Sequence, residues 1–214
     1  MCLILFAWKV HPEHKLVLVA NRDEFYKRPT QAAAFWEDHD QLVAGKDLVG
    51  GGTWMGMTKG GRFAALTNYR DPKNIDPNAP TRGELTKAFL TSQTTPLDYL
   101  TQLKEANTAF NGYNLLVGDG DSLWYYNNVN HEIQKLEPGV YGLSNALLDT
   151  PWPKVEWGKK SLRTTLQTTS IEVHQLAQII QNPTLATDEE LPSTGVPLAW
   201  ERLLSPLFIA SETY

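Results

Sequence analysis

The sequence predicts an α+β fold in which antiparallel sheets are covered by helices. Two observations carry this. Short apolar runs joined by tight turns come in groups, as antiparallel strands do. Helical stretches come in pairs between those groups, whereas a doubly wound parallel sheet would alternate single strands with single helices.

The first group opens with the apolar run Leu3, Ile4, Leu5, Phe6 and Trp8, which reads as a buried strand over 2–9 and breaks at His11-Pro12-Glu13-His14. A second run, 16–20, follows at once, so the two form a hairpin. Residues 21–30 read as a polar connection, and 42–44 as a short strand. Gly50-Gly51-Gly52 is a turn cluster before a hairpin over 54–58 and 62–67. The proline-bearing segment 68–80 reads as a loop.

Thr81 and Glu84 have the spacing of a capping box, so a helix is expected from there to Leu90. A second helix is expected from Pro96 to before Asn107, with Leu97, Leu100 and Leu103 on one face. Four short strands follow at 113–118, 122–127, 132–136 and 140–144. Helices are expected over 153–167 and 171–181, then a loop, a short helix and an apolar end. There is no internal repeat and no strong boundary, so the 214 residues read as one domain.

Composition narrows the function. Net charge is −5 and no Lys/Arg stripe occurs, which argues against nucleic-acid partners. One cysteine allows no internal disulfide. The first apolar run lacks a basic flank and is too short to span a bilayer, so no stable membrane insertion is expected and the location is read as cytoplasmic. The five histidines have no metal-ligand spacing, so no metal is expected, although a lone histidine can ligate haem. The partner expected is a small-molecule substrate or ligand; oligomeric state is left open.

Cys2 stands where removal of Met1 would leave a thiol and a free α-amine on one residue. That amine, with a pKa of roughly 7.7–8.0, can serve as base for its own side chain. The bland reading is a small buried hydrophobe on an apolar strand. Asn21-Arg22-Asp23-Glu24 follows the second strand. Arg22 could orient a thiolate or bind a carboxylate, and Asp23 could hold an α-amine; a solvated turn with local ion pairing is the alternative. The Gly50–52 cluster could bring backbone N–H groups to a ligand or be a tight approach to a strand. Asn68 and Asn145 follow strand-like runs, where an amide can stabilise an oxyanion or simply make a turn.

Taken together, several motifs resemble the NRDE family, the transport and Golgi organisation homologues. They are Met1-Cys2-Leu3-Ile4, Ala20-Asn21-Arg22-Asp23-Glu24, Gly51-Gly52-Thr53-Trp54, Thr67-Asn68-Tyr69-Arg70, Arg82-Gly83-Glu84, Gly112-Tyr113-Asn114-Leu115 and Gly142-Leu143-Ser144-Asn145. The resemblance spans nearly the whole chain. It implies a four-layer αββα fold like that of N-terminal-nucleophile hydrolases, with Cys2, Arg22, Asp23 and Asn145 at the catalytic positions of the penicillin V acylase and bile salt hydrolase group. Asn21, Glu24, Trp54, Asn68 and Tyr69 would contact the ligand. No cofactor is required, while haem or an acyl-CoA-like amphiphile is implied as a ligand. Relatives continue into one more strand bearing an arginine, so the resemblance implies a single domain over 1–214 that lacks its last strand.

Overall fold

A computed structural model describes residues 2–168 and 170–212. The chain divides into two compact units. The first runs through Phe25, takes in Arg70–Asn74 and resumes at Pro138; the second is Tyr26–Tyr69 with Ile75–Glu137.

The first unit is built on β1 (Cys2–Trp8), β2 (Leu16–Arg22) and β10 (Gly139–Leu143). They form an antiparallel sheet in the order β10-β1-β2, with Cys2 opposite Arg22 and Ile4 opposite Leu143. β1 is buried at all seven positions, which explains its unbroken apolar run. Helices α3 (Pro153–Thr165), α4 (Val173–Ile180) and α5 (Leu198–Leu203) belong to this unit. Leu3, Leu5, Val17 and Val19 of the sheet share a core with Val155 and Leu162 of α3 and Ile179 of α4. A Cβ on Gly158 would stand 2.4 Å from Leu5 Cδ1, so α3 sits close enough to β1 to require glycine there.

The second unit holds β3 (Thr30–Trp36), β4 (His39–Asp47), β5 (Met55–Thr58), β6 (Phe63–Asn68), β7 (Tyr113–Gly118), β8 (Leu123–Asn127) and β9 (Glu132–Lys135). They form one antiparallel sheet in chain order, which is a simple meander. Helices α1 (Gly83–Thr91) and α2 (Pro96–Ala106) cover it, with Leu85, Phe89, Leu90 and Leu100 packed on Leu66, Leu115 and Val117.

Three expectations are corrected. Thr30 already belongs to a strand, Thr30–Trp36, and not to the polar connection before it. Gln31-Ala32-Ala33-Ala34 has weak strand propensity and lies exposed, so no alternation marks it. Its pairing with β4 makes the strand, and β4 is accordingly longer than 42–44. Second, β2 extends through Arg22, placing Asn21 and Arg22 in the sheet. Third, Thr81 does not cap α1: the N-cap is Arg82, still in the αR region and without a side-chain cap bond. The helix starts late because Gly83 lies against the Gly52 backbone, with Thr53 N donating to Gly83 O at 3.3 Å.

That contact gives the glycine cluster its reason. A Cβ on Gly52 would lie 2.5 Å from Gly83 C and 2.6 Å from its oxygen, both backbone atoms that cannot swing away. Gly51 has φ +72 but open space around it. Gly52→Ala should therefore cost roughly 1–3 kcal/mol or more in urea unfolding. Gly51→Ala should cost only about 1–2 kcal/mol of left-handed strain. Equal costs would remove the close-approach account.

Candidate functional site

β1 is sandwiched between β2 and β10, so the start of the chain lies between two strand ends. Arg22 ends β2 directly across from Cys2. On the other side the chain leaves β10 into Ser144 and Asn145. There Cys2 N donates to Asn145 Oδ1 at 3.2 Å, and Ser144 Oγ donates to Cys2 O at 3.0 Å. Both polar groups of the Cys2 backbone are thus held by buried side chains 142 and 143 residues away. Asn145 O in turn accepts from Arg70 N at 2.7 Å.

Cys2 is 9% exposed, and burial pushes its thiol up to about 11. Arg22 pulls the other way, while Asp23 and Glu24 add to the rise. Burial also raises the Asp23 carboxyl, against the pull of Lys154. Glu24 accepts from Arg22 Nη2 at 3.4 Å and from Phe25 N at 3.0 Å. Arg22, Asp23 and Glu24 thus all act on the thiol electrostatically, and Glu24 also braces the turn. Asn21 is a tie. Its Nδ2 donates to Ile180 O at 2.8 Å and Leu207 O at 2.7 Å, which spends both amide hydrogens on the end of α4 and on the segment after α5.

Trp54, Asn68 and Tyr69 lie in the second unit. Trp54 O accepts from Leu66 N at 2.7 Å, Asn68 ends β6 opposite Tyr113, and Tyr69 N donates to Gly112 O at 2.9 Å. The four proposed catalytic residues, with Asn21 and Glu24, lie in the first.

Four residues of this unit go beyond the site residues singled out in the sequence: Ser144, Arg70, Lys154 and Glu201. Arg70 and Glu201 form an ion pair at 2.7 Å with side chains only 7% and 4% exposed. The Arg70 guanidinium also stacks 4.7 Å from the Trp152 ring centre. Glu201 accepts from Thr194 N at 2.8 Å and from Thr194 Oγ1 at 2.6 Å. Lys154, 2% exposed, donates from Nζ to Leu204 O at 2.9 Å, and burial lowers its amine to about 8. Arg70, Trp152, Lys154 and Glu201 line a cavity of about 10 Å³, room for one water. A signal for Lys154 existed. It lies in the first turn of α3, where the helix dipole disfavours a cation, and on the stripe of Gly158 and Leu162 that faces the core.

Among the described residues no group of three or more His, Cys, Asp or Glu side chains could hold a metal, and no helix is long and apolar enough to cross a membrane.

The family model described as Transport and Golgi organisation 2 matches residues 1–214. The chain belongs to that family. It is 36% identical to the mouse Transport and Golgi organization 2 homolog over 225 residues, 97% of this chain and 80% of the relative. The human homolog is 42% identical over 173 residues, which is 75% of this chain and 62% of the relative. The chain thus spans less than two thirds of the human relative. Among solved structures it resembles a Caenorhabditis elegans N-acylethanolamine-hydrolyzing acid amidase ortholog. The TM-score is 0.59 at 10% identity, over 95% of this chain and 98% of the other. That likeness shows the fold: α+β with antiparallel sheets, of the N-terminal-nucleophile-hydrolase type that the motifs predict.

Proposed function

We propose that the chain holds a latent N-terminal cysteine site that cleaves a small acyl amide once Met1 is removed. The observation that carries the reading is the hydrogen bond from Cys2 N to Asn145 Oδ1. The nitrogen that would become the catalytic amine is already held in place by a buried side chain. The fold shared with an acylethanolamine amidase supports the same substrate class.

In the reaction the free α-amine takes the thiol proton, and Cys2 Sγ attacks the amide carbonyl, forming a C–S bond. The carbonyl pair moves to oxygen, where the Nδ2 side of Asn145 is the donor proposed for the oxyanion. Collapse breaks the C–N bond, and the ammonium proton leaves with the amine. Water then attacks the thioester, the C–S bond breaks, and the thiol regains its proton. The sum is amide plus water to acid plus amine. Arg22 lowers the cost of the thiolate, and Asp23 orients the amine.

The test combines intact mass with turnover of N-acyl amides of graded chain length. Processed protein is expected to hydrolyse at least one, with Cys2→Ser losing the activity. A native protein that keeps Met1 sinks the mechanism. Haem or acyl-CoA binding that survives Cys2→Ser, with no turnover by the processed protein, would show a binding protein instead.

A further inference from the structure

Ser144 is a buried serine that the reaction above does not use. It sits where the sheet around Cys2 is lopsided. β2 follows β1 to its first residue, with Arg22 opposite Cys2. The ladder between β10 and β1 stops earlier, at Leu143 opposite Ile4. In an antiparallel pair a residue sends its N–H and its C=O to the same neighbour. Cys2 sends both to the two residues that follow β10, and their side chains receive them. Asn145 Oδ1 accepts from Cys2 N at 3.2 Å, and Ser144 Oγ donates to Cys2 O at 3.0 Å. One side-chain acceptor and one side-chain donor thus imitate a hydrogen-bonded residue pair beyond the end of the backbone ladder.

Removal of Met1 gives these two bonds different fates. The bond to Asn145 starts on a nitrogen that becomes an amine and, in the reaction, gains and loses a proton. Its strength changes with each state, because a charged donor bonds more strongly than a neutral one. The bond from Ser144 ends on a carbonyl that keeps its chemistry throughout. Processing also deletes the peptide link upstream of Cys2, so the residue is then held from Leu3 and by these side chains. The Ser144 hydroxyl has one hydrogen to give. Cys2 O at 3.0 Å is the nearer acceptor, against Asn145 Oδ1 at 3.4 Å.

We propose that Ser144 is a positioning residue: its hydroxyl grips the Cys2 carbonyl and keeps the thiol and the new amine in register at the end of β1 throughout the reaction. The proposal rests on Cys2 being the nucleophile of the processed chain. A serine that only satisfied a buried carbonyl would serve stability and leave the order of Cys2 and the turnover of folded protein untouched.

The experiment uses the processed full chain, with loss of Met1 checked by intact mass and folding at the assay temperature checked by urea unfolding. Carbon-13 relaxation at Cys2 Cα gives its order parameter. Wild type and Ser144→Thr, which keeps the hydroxyl, should show rigid backbone, roughly 0.85, whereas Ser144→Ala should fall below about 0.6. On an N-acyl amide, kcat of Ser144→Ala should drop about tenfold or more with KM within about twofold, since small misplacements of reacting groups can cost up to about a hundredfold. Ser144→Thr should retain most of the rate. A Cys2 that stays rigid in Ser144→Ala, or an unchanged kcat, overturns the proposal. If Ser144→Ala does not fold, Ser144→Gly, which admits water to the Cys2 carbonyl, is read in its place with the same expectations. The order parameter is read without turnover. Loss of order with no hydrolysis by any processed chain defeats only the reading of function, whereas full hydrolysis by Ser144→Ala defeats only the role of Ser144.

Discussion

Glu201→Ala should destabilise the protein by about 3–5 kcal/mol, because it strands a buried guanidinium. Both side chains of the Arg70–Glu201 pair are shielded from water, so solvent screening offers little relief. Glu201 also ties down Thr194 through two further hydrogen bonds, and these are lost together. Arg70→Met should cost a comparable amount by leaving the carboxylate alone. The double change Arg70→Met with Glu201→Leu should recover most of the loss, since an apolar pair of similar volume avoids both desolvation penalties. Urea unfolding of the three variants provides the double-mutant cycle. A cost below about 1 kcal/mol for Glu201→Ala would mean that water reaches the pair.

The cycle also bears on why an ion pair is buried there. Buried pairs stabilise poorly relative to apolar packing, so the Arg70–Glu201 pair is weak evidence for stability as its purpose. Its two side chains line the same small cavity as Lys154.

The local signals in the sequence were those whose cause is local. The β1–β2 hairpin, the second helix and the Gly60-Gly61 hairpin each follow from apolar spacing and turn residues inside a short window. The observed α2 has Thr95 as N-cap and Asn107 in the left-handed region at its end, as those residue types favour. β3 was not legible because its strand character comes from pairing with β4. The missed Thr81 cap has a similar origin, a contact between Gly52 and Gly83 some thirty residues apart.

The site divides the same way. Cys2, Arg22, Asp23 and Asn145 could be named because their motifs carry the family likeness, and the structure brings Cys2, Arg22 and Asn145 to one end of β1. Asn21 looked equivalent to its neighbours in the run. Only the tertiary fold shows that its amide ties two distant carbonyls. Arg70 lay inside a recognised motif, but its partner Glu201 is 131 residues away on a six-residue helix that periodicity cannot assign a role. Distant pairing is not written in local pattern.

Cys2 of the chain that keeps Met1 should be nearly inert to alkylation, and removal of Met1 should wake it. With the thiol pushed up to about 11, thiolate at pH 7.5 is about three-hundredfold scarcer than for an exposed cysteine of pKa roughly 8.5. Iodoacetamide labelling followed by mass should show at least that deficit, and the rate should climb with pH toward 11. Processed chains should label faster near neutrality, since the new amine can take the thiol proton. Stability gives an independent check. The folded thiol keeps its proton up to about 11, whereas the unfolded thiol loses it near roughly 8.5. Between those values the folded state binds more protons, so this contribution is complete below the lower value and is lost as pH rises through the upper one. Lys154 acts oppositely: its amine is lowered to about 8 in the fold, so its contribution to stability grows as pH climbs above that value. Comparing wild type with Cys2→Ala cancels the part of the lysine's contribution that does not depend on the thiol. The wild type should lose about 2 kcal/mol relative to the variant between pH 9 and 11. A flat difference across that window, with rapid alkylation at pH 7.5, would mean that the thiol is already open to solvent before Met1 is removed.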